Sequence, residues 1–162
     1  MRDAGIRYAA GGLAVTVAAV HIFWGFPRLV TQIQIGAVPD PRPAAFVISG
    51  ALIFLGIAQI LDGRDPKPIY LAGIGLMFAY ILGYVAWHTV LGHGGFWPWG
   101  PEPITHDMPA HMVVVDHLLS DPLALFSKLT ELLLAGLLAV LYSRDAESSE
   151  ERIEAVVSDS SS

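Results

Sequence analysis

Four stretches of the chain are nearly free of charge: residues 8–27, 44–61, 69–91 and 122–142. Each is 18 to 23 residues long, and a helix needs about 20 residues to cross a hydrocarbon core of about 30 Å. In hydrocarbon every backbone N–H and C=O must be satisfied within the segment, so such stretches become helices. The chain therefore reads as an all-α, four-span transmembrane bundle, with a polar, acidic tail over residues 143–162 that is partly disordered. With 54% hydrophobic and only 15% charged residues among 162, it is too apolar for a soluble domain of this size. The first stretch is long for the apolar core of a signal peptide, and "HIFWGFPR" after it offers no small-residue cleavage site, so it is expected to be retained as a span.

Orientation follows from the basic residues, which are retained on the cytoplasmic side. Arg2, Arg7, Arg64, Lys67, Arg144 and Arg152 fall on one side, against Arg28 and Arg42 on the other. Both termini are thus expected in the cytoplasm and the third loop, from Gly92 to Asp121, outside. Five of the six histidines lie between Trp87 and Leu118, and this threading puts all six, with Trp24, Trp87, Trp97 and Trp99, into one outer layer.

Within the third loop, "GHGGFWPWGPEP" has too many glycines and prolines to sustain a helix, whereas "HDMPAHMVVVDHLL" suits a short interfacial helix starting near Pro109. Asp121 and Pro122 read as the start of the fourth span, and Pro27 as the end of the first. The turn "DGRDPKP" makes spans two and three an antiparallel pair. Small residues recur every fourth position at Ala10, Ala14 and Ala18, and again at Gly75, Ala79 and Gly83, a spacing that lets helices pack closely in lipid.

Imidazole suits copper, zinc and haem iron, and thioether sulfur adds affinity for Cu(I). His21, His88, His111 and His117 are the preferred ligands, with His93 and His106 in the same layer and Asp107, Met108 and Met112 as helpers. His21 and His88, on different spans, could hold a b-type haem by two axial bonds. Asp107 lies four residues before His111, a spacing that a helix would present on one face. Lys128 and Glu131, three apart within the fourth span, form an intramembrane charge pair and a candidate proton or ion route.

The acidic balance, 15 Asp and Glu against 9 Lys and Arg of which two are lysine, resembles the small four-span integral membrane proteins of halophilic archaea, where concentrated salt screens self-repulsion. The leading reading is an outer histidine layer that binds a transition metal or haem for redox or metal handling. Two others compete with it: a cofactor-free accessory subunit docked on a larger membrane complex or on copies of itself, and a small proton-coupled carrier using Lys128 and Glu131. The absence of cysteine excludes thiolate chemistry. No Walker or Rossmann phosphate loop is present, and a net charge of −6 leaves no basic surface for nucleic acid.

Overall fold

A computed structural model of the chain describes residues 2–36, 40–96 and 100–160, with side chains described within residues 4–146. Trp97 and Trp99 lie outside the described residues. The elements are α1 (Arg2–Gln34), α2 (Arg42–Leu61), α3 (Pro66–His88), α4 (Ala110–Ser120) and α5 (Pro122–Ser160), with a single 3₁₀ turn at Gly92–Gly94. Four helices are long and apolar enough to cross a membrane, the spans being Ala4–Gln34, Arg42–Leu61, Pro66–His88 and Pro122–Ala146. The molecule is an all-helical, multi-pass membrane protein.

Its apolar distribution is inside out relative to a soluble bundle. Phe23, Leu52, Phe78, Leu82 and Leu133 are all exposed, as helices facing acyl chains require. The core is slim: Ala10, Val17, Tyr70, Met77, Tyr80, Leu134 and Leu141 pack together along the bundle axis. Lipid tails are as apolar as leucine, so association rests on close packing and hydrogen bonds rather than on escape from water. α1 packs most extensively on α2, and α3 on α5, with a further α1–α5 contact.

Glycines set these approaches. A Cβ on Gly50 would meet Ile22 Cγ1 at 2.7 Å, and one on Gly25 would meet the Pro43 carbonyl oxygen at 2.9 Å. The α1–α2 seam is therefore closed where glycine sits. Spans two and three, although joined by a tight turn, touch only sparingly; their antiparallel arrangement is connectivity more than contact. The two small-residue stripes also part company, since Ala10 and Ala18 are buried while Gly75, Ala79 and Gly83 are exposed.

Two boundaries differ from the sequence reading. α1 does not stop at Pro27 but carries it internally and runs on to Gln34. Proline is tolerated within membrane helices where side chains support the backbone around it. Here Thr31 Oγ1 donates to the Pro27 carbonyl at 3.0 Å and Arg28 donates to the Trp24 carbonyl at 2.8 Å. α5 likewise continues beyond residue 142 as helical backbone to Ser160, through a serine-rich segment in which the four glutamates are the main helix formers.

Other boundaries fall where local chemistry puts them. Asp65 caps α3 by accepting from the Lys67 amide at 3.1 Å, with Pro66 in the first helical position. Asp121 caps α5 by accepting from the amides of Leu123 and Ala124, each at 3.0 Å. At the end that carries the termini, Arg7 joins three helices: it donates to the Tyr70 hydroxyl at 2.9 Å and pairs with Asp145 at 2.7 Å.

Candidate metal centre

The end of the bundle opposite the termini is closed by the segment between α3 and α5, and four histidines converge there. His88 is the last residue of α3, His93 sits in the 3₁₀ turn, His106 lies just before α4, and His117 is in the last turn of α4. One ligating nitrogen from each of His88, His93 and His117 lies within 4.8 Å of the other two. His106 joins this triad through Nε2, which is 3.2 Å from Nε2 of His93. The His106 ring centroid is also 5.2 Å from that of His117.

Local structure explains the convergence. His93 occupies the left-handed region at φ 56°, the only described non-glycine residue with positive φ. Such a conformation is costly for a residue with a Cβ and persists only where its surroundings enforce it. They do so on both sides. Gly94 adopts φ +96°, and a Cβ there would meet Trp87 Cη2 at 2.9 Å; a Cβ on Gly95 would meet Pro103 Cα at 2.4 Å. The Ile104 amide donates to the Gly92 carbonyl at 3.2 Å, tying the loop segment that carries His106 to the turn that carries His93. Beneath, the Arg42 guanidinium stacks 3.6 Å from the centre of the Trp87 ring and is held in place by a forked contact with Asp40. The tryptophan that supports the turn is thus itself supported.

The tautomers are set as a metal requires. His88 Nδ1 is 2.9 Å from the Tyr84 carbonyl oxygen, and His117 Nδ1 is 2.8 Å from that of Val113. A carbonyl can only accept, so each Nδ1 carries the proton and each Nε2 is left with a lone pair. Metal-bound histidines almost always use their second nitrogen in this way, which fixes ring orientation and raises basicity. His93 is held below its ordinary imidazole pKa, chiefly by burial and then by His117, His106 and Arg42. Its neutral, ligating form is therefore favoured. Beside the cluster opens a cavity of about 480 Å³ lined by His88, His106, Met108, Phe96, Ile104 and Val113 among others.

The remaining sequence candidates are placed elsewhere. His111 is exposed and outside the cluster, because on α4 it is six residues from His117, while Val113 and His117, four apart, share the inward face. Asp107 is exposed and precedes α4, so no helical turn pairs it with His111. Met112 is 53% exposed; Met108, at 45%, reaches the cavity wall.

His21 belongs to a different part of the molecule. Its ring stacks on Tyr80 at 3.8 Å and meets Phe46 edge-on at 4.8 Å. Tyr80 lies two helical turns below His88 on α3, a rise of about 12 Å. The six histidines thus do not share one layer. A haem held axially by His21 and His88 does not fit, since the His21 ring is already packed between aromatic neighbours in the bundle core.

His21 instead meets the intramembrane charge pair. Lys128 Nζ is 2.7 Å from both carboxylate oxygens of Glu131, and His21 Nε2 is 3.5 Å from Glu131 Oε1. Ser127 and Tyr80 complete this group, and sequence reading missed both. The Ser127–Glu131 spacing of four on one helix was the available signal for the first. The contribution of Tyr80 required knowing that α1 and α3 both pack against α5. The chain matches no protein-family model, no curated protein and no solved structure.

Proposed function

We propose that the capped end of the bundle is a transition-metal site, with His88, His93 and His117 as ligands and His106 as the fourth. The observation that carries this reading is the convergence of four imidazoles from α3, the 3₁₀ turn, the following loop and α4, two of them with Nδ1 already committed to a backbone carbonyl. With metal–nitrogen bonds of about 2.0 to 2.1 Å, tetrahedral ligand nitrogens sit about 3.4 Å apart. The His93–His106 pair, at 3.2 Å, is near that spacing, and the triad nitrogens, within 4.8 Å of one another, close on an ion by at most about 1.4 Å.

An all-imidazole set suits copper or zinc, and Met108 on the adjoining cavity wall favours copper. The cavity gives a small molecule access to one side of the ion, as redox chemistry or metal transfer requires. The distribution of arginine and lysine puts this end outside the cytoplasm, with both termini within.

The test is elemental analysis of the full chain purified in mild detergent, stripped with chelator and reloaded separately with copper and zinc. One ion per chain is expected, lost in a His88→Ala, His117→Ala variant that keeps its helix content. Wild-type protein that remains metal-free after reloading with both ions would overturn the proposal.

A further inference from the structure

The metal reading leaves unused the polar group between α1 and α5. Glu131 is 0% exposed and His21 3%. Oε1 of Glu131 accepts from Ser127 Oγ and from Lys128 Nζ, each at 2.7 Å, and Oε2 accepts from the same ammonium at 2.7 Å. On the remaining side of Oε1 stands His21 Nε2, 3.5 Å away.

The protonation of His21 follows from its other nitrogen. Nδ1 is 2.9 Å from the Val17 carbonyl oxygen, so Nδ1 bears a proton and Nε2 of the neutral ring presents a lone pair. Two acceptors therefore face each other in a site closed to water. With a lysine ammonium, a glutamate carboxylate and a neutral imidazole the group carries no net charge; one added proton removes the confrontation and leaves it singly positive. The groups around it supply no other source of that proton. α2 contributes Ser49, whose hydroxyl already donates to the Ala45 carbonyl. α3 contributes Tyr80, whose hydroxyl donates to Ser49 and whose ring stacks on His21, and Tyr84, which meets the group through its ring face, 5.4 Å from Lys128 Nζ. α5 contributes Ser127, Lys128 and Glu131.

We propose that His21 and Glu131 form an intramembrane proton-binding site, which takes up one proton from water and holds it between His21 Nε2 and Glu131 Oε1. Lys128 is the fixed counter-charge, and the face of Tyr80 stabilises the imidazole when it shares positive charge. Ionisable side chains within spans are costly to insert and mark proton and ion sites. This inference is independent of the metal site.

The experiment is infrared difference spectroscopy during acid titration of the full chain in lipid vesicles, in a His88→Ala, His117→Ala background that silences two of the distant imidazoles. Glu131→Gln and His21→Gln are compared in the same background. Each glutamine supplies a fixed N–H where the shared proton would sit, which satisfies the contact without titration. The expected result is a wild-type signal from one proton, seen as protonated carboxyl or imidazolium, that is lost in both variants. An acid titration that does not differ between the parent and either folded variant overturns the proposal. Should a variant lose its helix content, ¹⁵N resonances of His21 in the unsubstituted chain decide instead: protonation at Nε2 on acidification supports the site, and a permanently bare Nε2 overturns it.

Discussion

Nε2 of His93 lies 3.2 Å from Nε2 of His106 although thirteen residues separate them. Two bare imidazole nitrogens repel at that distance, so the contact stands only with a proton or a metal ion between them. Substitution separates His106 from the neighbouring His111, which is exposed and outside the cluster. His106→Ala, which removes the proposed fourth ligand, is expected to weaken copper or zinc binding by at least the about 10–100-fold lost when a group that only orients a ligand is removed. His111→Ala is expected to leave binding unchanged. Competition titration with a chelator of known affinity measures both, and equal losses would place the metal elsewhere on the loop.

Acid should empty the site. Burial, the neighbouring imidazoles and Arg42 hold the His93 pKa below its ordinary value in the folded protein, so the unfolded chain takes up its proton first as pH falls. The sign follows: the unfolded state binds more protons, stability falls with pH, and the stabilisation is retained above the ordinary imidazole pKa and lost below it. A bound metal steepens the dependence, because ligation requires the neutral ring. Metal retention measured by elemental analysis after equilibration from neutral to acidic pH is expected to drop across the imidazole range, and the drop should flatten in His93→Gln. A pH-independent metal content would show that the ligands are not these imidazoles.

The 3₁₀ turn should be intolerant at Gly94. Its φ of +96° disfavours any side chain, and the added Cβ of Gly94→Ala would stand 2.9 Å from Trp87 Cη2. The expected cost is about 1–3 kcal/mol of local strain, relieved by displacement of the turn that carries His93. Thermal melting of the metal-free protein should therefore change little, because the bundle does not depend on this turn, while metal affinity falls. A variant with lower melting temperature and intact affinity would mean that the turn supports the bundle rather than the ligands.

How far the sequence carries can be seen residue by residue. The four spans were legible because hydrocarbon admits no backbone alternative to the helix, and the cap at Asp121 was legible because its chemistry is local. The extension of α1 through Pro27 was not, since the support from Thr31 and Arg28 becomes visible only once the helix is assumed to continue. That extension moves His21 inward, away from the capped end, and removes it from the histidine layer. The loop composition gathered the imidazoles that the fold brings to one end of the bundle, but it did not separate His93 and His106, which meet there, from His111, which does not. Helical phase put His111 on the outer face, and a left-handed residue flanked by glycines has no periodic signature. Lys128 and Glu131 could be paired from spacing alone, whereas their partner on α1 required the packing order of the helices.

That buried pair makes the sharpest stability prediction. Glu131 is fully enclosed and Lys128 is 13% exposed at its side chain, so removal of either partner strands a charge in the core. Lys128→Met is expected to destabilise the bundle by about 3–5 kcal/mol, the range for breaking a buried ion pair from one side. Glu131→Gln should cost less, because with its nitrogen turned to His21 the glutamine carbonyl still accepts from the ammonium. The double change Lys128→Met, Glu131→Leu replaces both charges with apolar volume and is expected to recover most of the loss, since buried pairs exchanged for hydrophobic residues are often neutral or stabilising. The outcome is read from thermal melting in detergent across the wild type, Lys128→Met, Glu131→Leu and the double variant. Near-additive losses would show that the two side chains act separately and that the 2.7 Å contacts contribute nothing jointly. A recovered double variant that has also lost the proton-dependent infrared signal would show that the charges are kept for proton binding rather than for holding the helices together.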